Sequence, residues 1–207
     1  MARSDAPIQS SQDRLLKAGK KLMARDGYER TSTSAIVREA GTSESQLMRY
    51  FGGKAGLLKA IFERDWGRLN TKLQEGMEVV SNAREGLRTI LDVFIQTLDK
   101  DHEMARLMLF EGRRLRGHRH EVTLSKGFVE FVNLMQGLIK RAQRNGEIDP
   151  GLNPVAVSTA VMGLAEGMIR DRLVYMELNG RYPFSENDLR EVYAVMMGGL
   201  FMETAPA

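Results

Sequence analysis

The stretch Ser32–Gly52 reads S-T-S-A-I-V-R-E-A-G-T-S-E-S-Q-L-M-R-Y-F-G, and it decides how the rest of the chain is interpreted. Its apolar residues recur at helical spacing on both sides of Gly41, which predicts two short helices. Gly41 suits the left-handed conformation that often ends a helix. Ser43 and Gln46 have the spacing of a capping box, so the second helix is predicted to begin at Ser43. Two short helices joined by a tight turn are typical of a DNA-binding helix-turn-helix.

The same segment resembles the N-terminal signature of TetR-type transcriptional regulators. The residues that carry this resemblance are the turn Ala40-Gly41-Thr42-Ser43, then Leu47, Tyr50-Phe51, Lys54 and Leu57-Leu58. The match covers about residues 11–66, and beyond it only length and helical pattern agree. The resemblance implies a homodimer with an effector pocket enclosed by its middle helices. Met48 departs from the pattern, because the family usually has a tyrosine there that contacts the DNA backbone.

The composition indicates a globular protein without disulfides. Of its 207 residues, 43% are hydrophobic and 28% are charged, and none is cysteine. The first nine residues lack the apolar core of a signal peptide, and no run reaches the roughly 18 apolar residues of a membrane span. We therefore expect a soluble cytoplasmic protein with no membrane partner.

The positive charge is concentrated at the N-terminus. Ten Lys and Arg stand against six Asp and Glu between Met1 and Leu58, while the whole chain carries only +3. A phosphate backbone favours such a placement. The alternative is scatter of charge over an exposed surface.

The apolar periodicity predicts helices throughout and no strand. The expected class is all-α, with a three-helix helix-turn-helix domain at 1–53 and a larger effector-binding and dimerisation domain at 54–207. On the first helix, Leu15 and Leu22 should be buried, and five cations should stay in water: Arg14, Lys17, Lys20, Lys21 and Arg25. The predicted helices cover about 11–25, two within 32–52, then 54–76, 87–98, 103–115, 121–144, 154–178 and 185–202.

The recognition helix offers side chains for bases, and its surroundings offer groups for phosphates. If Leu47 points inward, Gln46 and Arg49 project outward, where Gln can pair with adenine and Arg with guanine. Short hydroxyls near helix N-termini suit phosphate oxygens. The family resemblance implies backbone contacts for Lys54 and Tyr50, while capping alone for Ser43 and core packing for Tyr50 remain alternatives. The DNA-binding candidates are Ser32, Thr33, Ser34, Ser43, Ser45, Gln46, Arg49, Tyr50 and Lys54.

Methionine and aromatic residues of the middle helices suggest an adaptable pocket for a largely apolar small-molecule effector. The chain has 13 methionines and a single tryptophan, Trp66. Ordinary core packing is the alternative for these residues. The effector-binding candidates are Trp66, Phe94, Met104, Met108, Phe110, Phe128, Phe131, Met135, Met162 and Met168.

The last two helices are the candidates for dimerisation. Both carry apolar residues on more than one face, and Gly163 and Gly167 would permit close backbone approach. A second copy supplying the same pair would complete a four-helix bundle. Burial within the monomer is the alternative.

The sequence contains no constellation for catalysis. It lacks cysteine and a phosphate-binding glycine loop, and His118-Arg119-His120-Glu121 has too few ligands for a metal. We interpret the basic stretch from Arg113 to His120 as a solvated loop, with an anionic effector or DNA as its alternative partner. No metal, cofactor or enzymatic activity is expected.

The expected function is a ligand-responsive repressor that binds a palindromic DNA operator as a homodimer. The alternative is a helical ligand-binding or scaffolding protein with no direct DNA role.

Overall fold

The structure is a computed structural model that describes residues 10–111 and 125–202. All regular elements in these two ranges are helices, which confirms the all-α prediction. They are α1 (Ser11–Asp26), α2 (Thr33–Ala40), α3 (Glu44–Phe51), α4 (Lys54–Met77), α5 (Ala83–Lys100), α6 (His102–Glu111), α7 (Lys126–Arg144), α8 (Pro154–Asn179) and α9 (Glu186–Gly198). Within the described ranges, none of these helices has the length and apolarity needed to span a membrane.

Two helix ends differ from the prediction by four residues, since α5 begins at Ala83 rather than Leu87 and the last helix ends early. The last helix was expected to continue to residue 202, but α9 ends at Gly198. Phe201 instead forms an isolated antiparallel bridge with Ile148, and the Met202 amide donates to the Glu147 carbonyl over 2.9 Å. The predicted helical segments 112–115 and 121–124 lie outside the described residues.

Local capping signals were more reliable than helix lengths. Asn153 caps α8 immediately before Pro154, as predicted. Ser185 caps α9 by accepting from the Asp188 amide, and the Asp188 carboxylate accepts from the Ser185 amide over 2.7 Å. These contacts satisfy amides that a helix start would otherwise leave unpaired.

The described residues form two compact units. The first contains 10–65, 101–111 and Ser125, and the second contains 66–100 and 126–202. The boundary between the units therefore falls within α4, after Asp65. The functional division proposed from the sequence, at 53/54, lies instead at the turn between α3 and α4.

The core of the first unit joins α1 to the two short helices. Leu15, Leu22, Ile36 and Leu47 are all buried, as expected of a small three-helix core. Helix α6 also packs on α1. The first unit is thus larger than the three-helix domain, because a helix from a remote part of the sequence completes it.

Two of the five α1 cations do not stay in water, so that prediction is wrong for them. Lys20 is only 5% exposed, and its ammonium lies 2.7 Å from Asp65 and 2.6 Å from Asp101. Arg14 is half-buried, and its Nε donates to the Ala40 carbonyl over 2.9 Å. Both cations find partners that are remote in sequence, which apolar periodicity cannot reveal. The other three, Lys17, Lys21 and Arg25, are exposed as predicted.

The second unit packs α7 against α8 and α5 against α7 and α9. Its interior contains a buried cation, Arg172 of α8, that the sequence pattern did not single out. The Arg172 guanidinium binds Asp99 over 2.7 Å and lies 3.9 Å from the centre of the Tyr182 ring. A buried arginine needs such partners, because an unpaired buried charge is strongly destabilising.

Candidate nucleic-acid interface and effector site

The turn between α2 and α3 is held by backbone contacts and by one arginine. Gly41 adopts φ 59° and ψ 45°, the predicted left-handed conformation, and the Thr42 amide donates to the Val37 carbonyl over 2.9 Å. Arg14 also approaches the Gly41 carbonyl at 3.4 Å. A cation at the C-terminal end of a helix stabilises its unpaired carbonyls. Arg14 therefore fixes the turn, a role that sequence reasoning missed.

Hydroxyl side chains cap both short helices and remain exposed. The Ser32 hydroxyl accepts from the Ala35 amide over 3.2 Å, and the Ser43 hydroxyl accepts from the Gln46 amide over 3.3 Å. Each capping hydroxyl also pairs with the serine two residues further on, at 3.0 Å for Ser34 and 2.9 Å for Ser45. Capping and exposure coexist here, so the helix N-termini present hydroxyls together with a favourable dipole for an anion.

Two further candidates near these N-termini differ from the serines. Thr33 is half-buried, and its hydroxyl donates to the Glu44 carboxylate over 3.4 Å. The reciprocal half of the predicted capping box at α3 is not formed, because the Gln46 side chain makes no bond to the Ser43 amide among the described residues. Gln46 is half-buried, and its amide group keeps its hydrogen-bonding capacity for another partner.

The exposed face of α3 is dominated by an arginine held by its neighbour. Leu47 is buried, as predicted, and Ser45 and Arg49 are exposed. The Arg49 Nη2 donates to the Tyr50 hydroxyl over 2.8 Å, and its guanidinium carbon lies 4.7 Å from the centre of the Tyr50 ring. The Tyr50 side chain is thus on the surface rather than in the core. Met48, where a tyrosine is usual in the resembling family, is 58% exposed on the same helix.

Lys54 begins α4 and is tied to the loop that follows α1. Its ammonium donates to the Tyr28 carbonyl over 2.9 Å and lies 4.3 Å from the centre of the Tyr28 ring. An ammonium has three donors, so one bond to a carbonyl leaves capacity for a phosphate. The approach of α4 to α3 is close, since a Cβ at Gly56 would overlap the Phe51 carbonyl oxygen.

Four of the ten effector candidates form one aromatic cluster in the second unit. Trp66 lies against Phe131 at 5.4 Å between ring centres, against Phe128 at 5.3 Å and against Phe94 at 6.2 Å. The rings meet mainly edge to face, a favourable geometry that adds to their burial. One turn beyond Trp66, the buried Asn70 donates to the Gly127 carbonyl over 2.9 Å, while its own carbonyl oxygen has no hydrogen-bond partner in the described part of the chain.

The methionine candidates are divided between the two units. Met135 is buried, and Met162 and Met168 are half-buried on α8, all in the second unit. Met104 and Met108 belong to α6 of the first unit, where Met104 is buried. The side chain of Phe110 lies outside what the structure describes. The structure therefore brings together the aromatic candidates but does not gather all ten residues in one unit.

The dimerisation candidates expose apolar side chains in the described monomer. On α8, Leu178 is 76% exposed, and on α9, Val195 is 77% exposed. A Cβ at Gly163 would meet no atom within 4 Å, so this glycine lies on an open surface. Other exposed apolar residues of the two helices are Val155, Val174, Tyr175, Val192 and Met196.

The described residues contain no group of three or more His, Asp or Glu side chains arranged to hold a metal ion. The segment with His118 and His120 lies outside them, so the interpretation of that segment as a solvated loop stays a prediction.

Comparisons with known proteins agree with this geometry. Residues 15–61 match the family model described as bacterial regulatory proteins, tetR family. The fatty acid metabolism regulator protein of Bacillus subtilis is 25% identical over 143 residues, which cover 67% of this chain and 71% of that protein.

Two solved structures share the fold over about nine tenths of the chain. FadR of Bacillus halodurans, a fatty acid degradation regulator, has a TM-score of 0.77 at 20% identity, covering 90% of this chain and 97% of its own. FadR of Bacillus subtilis, solved in complex with stearoyl-CoA, has a TM-score of 0.74 at 20% identity, with 91% and 96% covered. At these identities the structures support the fold, and the match over residues 15–61 supports the helix-turn-helix.

Proposed function

We propose that the chain is a transcriptional regulator of the TetR type rather than an enzyme, and that it is a cytoplasmic repressor released from a palindromic operator by a small-molecule effector. The observation that carries the DNA-binding part is the exposed face of α3. Ser45 and Arg49 are exposed on it, and the N-termini of α2 and α3 are capped by the exposed hydroxyls of Ser32 and Ser43. Helix N-termini and hydroxyls bind phosphates, and arginine reads guanine.

We assign base contacts to Gln46 and Arg49, and phosphate contacts to Lys54 and to the hydroxyls of Ser32, Ser34 and Ser43. Thr33 and Ser45 belong to the same surface.

We propose for Tyr50 a role other than the DNA backbone contact that the resemblance implies. Its hydroxyl and ring hold the Arg49 guanidinium, so it orients a base-reading side chain and reduces the side-chain entropy lost on binding.

We propose that two copies associate through α8 and α9. The exposed apolar side chains of both helices, Leu178 and Val195 among them, support this surface, because large exposed apolar areas mark interaction sites. A twofold axis through a four-helix bundle would present two recognition helices to successive major grooves about 34 Å apart. Such a pair reads a palindrome.

We propose that the aromatic cluster around Trp66 forms part of the effector site. Aromatic rings and Met135 provide an apolar surface, and the relative solved with stearoyl-CoA suggests acyl-CoA thioesters as the ligand class to test first. Effector binding would favour an arrangement unable to span both half-sites, and a coupling of about 1–3 kcal/mol is typical of such regulators.

DNA binding is tested by fluorescence anisotropy with the DNA that flanks the gene, against a scrambled duplex of equal length and composition, over a salt series. Tight binding that is selective and weakens steeply with salt is expected. Equal affinity for both duplexes, in protein refolded to remove any bound ligand, would favour the alternative of a helical ligand-binding protein with no direct DNA role.

Effector binding is tested through Trp66, the only tryptophan in the chain. Its fluorescence is followed while acyl-CoA thioesters of increasing length are added, with free fatty acids and coenzyme A as separate controls. A saturable change that requires the thioester, together with loss of operator binding at the same concentrations, is expected. A change in fluorescence without any effect on the DNA would contradict the regulatory role of this ligand class.

A further inference from the structure

The first unit contains a buried cation that joins two helices, α1 and α4, to the residue immediately before α6. Lys20 of α1 binds Asp65 of α4 over 2.7 Å and Asp101, next to the start of α6, over 2.6 Å. We name these three residues the Lys20 latch. Lys20 and Asp65 are both buried, so the bond between them is shielded from solvent and salt.

The two carboxylates of the latch occupy particular places along the chain. Asp65 is the last residue of the first unit before the chain enters the second at Trp66. Asp101 is the first residue after the chain returns from the second unit at Lys100. One ammonium therefore holds the chain at two of the three points where it passes between the units, the third being between Ser125 and Lys126.

The latch also sets the start of α6. One oxygen of Asp101 accepts from Lys20, and the other accepts from the Met104 amide over 2.9 Å. Burial alone would raise the pKa of Asp101, but the hydrogen bonds from Lys20 and from the Met104 amide outweigh it, so the pKa lies below its usual value. Asp101 is therefore charged at neutral pH, and it cannot leave Lys20 without also disturbing the first turn of α6.

The contact between α1 and α4 next to the latch has little room to adjust. A Cβ at Gly19 would lie 2.7 Å from the Leu57 side chain, so α1 and α4 are in close contact at the residue next to Lys20. Closely packed helices with buried ion pairs change between discrete arrangements rather than deform gradually. Helix α1 in turn packs on α2 and α3.

We propose that the Lys20 latch couples the second unit to the DNA-binding helices. A displacement of α4 or of the start of α6 either carries Lys20 and α1 with it or breaks a buried ion pair. The latch therefore makes the position of α2 and α3 depend on the segments that lead to and from the second unit. This inference rests on the proposed function, since it names the path by which effector and operator binding would influence each other.

The test uses operator DNA alone, because coupling between two sites is reciprocal and no effector is needed. Hydrogen exchange of the full-length protein is measured with and without the duplex selected by anisotropy. In the wild type, DNA is expected to lower the amide exchange rates in α2 and α3. It should also change the amide exchange rates in α5 by about fivefold or more, since about fivefold is the lower end of typical coupling between two sites. In Lys20→Met, the change in α5 should fall below twofold, roughly the scatter expected of uncoupled sites, while that in α2 and α3 persists.

Lys21→Met is the matched control. It makes the same chemical change one residue away, where the ammonium binds Glu39 over 2.6 Å in a solvent-exposed pair. It should respond to DNA as the wild type does. Lys20→Met removes the ammonium bound by both carboxylates and leaves the buried Asp65 with Arg64, at 3.8 Å, as its ion-pair partner in the described part of the chain. Because this change can prevent folding, Asp101→Asn is the second variant. It keeps an oxygen for the Met104 amide and removes the charge that holds Lys20.

The outcomes separate the two proposals. A response of α5 that survives in both Lys20→Met and Asp101→Asn would overturn the latch and leave DNA binding intact. Protection of α2 and α3 in the wild type without any response in α5 would also overturn it. Absence of protection in α2 and α3 of the wild type would overturn the proposed DNA binding, and the inference with it.

Discussion

Two exposed surfaces of this molecule have opposite chemistry. The outer face of α3 presents Ser45 and Arg49, whereas α8 and α9 leave Leu178 and Val195 in solvent. A hydrated polyanion is bound by charges and hydroxyls that stay partly wet, while another protein surface is bound by burying apolar area. The contrast supports the proposals that α3 contacts DNA and that α8 and α9 contact a second copy of the chain.

The largest expected effect, on both mass and operator affinity, comes from placing charged residues on the exposed apolar surface of α8 and α9. The double variant Leu178→Glu, Val195→Glu should be monomeric, because it places four carboxylates in a symmetric apolar interface. Operator affinity should fall by about a thousandfold, towards the non-specific level, since each monomer reads one half-site. Light scattering after size exclusion gives the mass, and anisotropy gives the affinity.

The matched control for that variant is Val79→Glu, an equally exposed apolar residue outside both helices. It should leave mass and affinity unchanged. A monomeric wild type would contradict the proposed dimer, and a double variant that remains dimeric would contradict its assignment to these two side chains. Val79→Glu should unfold within about 0.5 kcal/mol of the wild type, as is usual for surface substitutions.

The second prediction concerns the base-reading side chain. Arg49→Ala should weaken operator binding by about 1–3 kcal/mol and relax the preference at one position of each half-site. Arg25→Ala, an exposed arginine paired with Asp26 on α1, is the control and should change neither. Competition among operators with single base changes identifies the position. A uniform loss over all of them would show a phosphate contact instead.

The third prediction separates positioning on the backbone from reading of bases. Lys54→Met should weaken binding to every duplex alike and reduce the slope of log affinity against log salt by about one. Methionine keeps the apolar stem near Tyr28 and removes the charge together with the hydrogen bond to the Tyr28 carbonyl. An unchanged salt slope would mean that the Lys54 ammonium serves the Tyr28 carbonyl alone.

The smallest effect compares the helix caps of the two units. Ser43→Ala at α3 and Ser185→Ala at α9 should each lower the free energy of unfolding by about 1 kcal/mol. Only Ser43→Ala should also weaken operator binding, because its hydroxyl is assigned to a phosphate. Chemical denaturation and anisotropy on the same samples distinguish capping from contact. Equal operator affinity for both variants would leave Ser43 as a cap only.

The effector-site candidates show what the sequence could predict, namely the buried faces of helices, and what it could not, namely the partner helix of each face. Trp66, Phe94, Phe128 and Phe131 were selected as apolar residues of middle helices, and the structure brings their rings into contact. Met104 was selected by the same reasoning but lies in the first unit. Helical periodicity says which face of a helix is buried, but it does not say which partner helix covers that face.

The sequence by itself determined the features that depend on residues within a few positions of each other. The left-handed Gly41, the caps at Ser43, Asn153 and Ser185, and the inward position of Leu47 follow from helical spacing and from local hydrogen bonds. Only the tertiary structure decided which Lys and Arg side chains of α1 are buried and which are exposed. Whether a lysine stays in water depends on which carboxylates the fold places beside it. Asp101 reaches Lys20 from 81 positions away through the packing of α6 on α1, and no local pattern encodes that proximity.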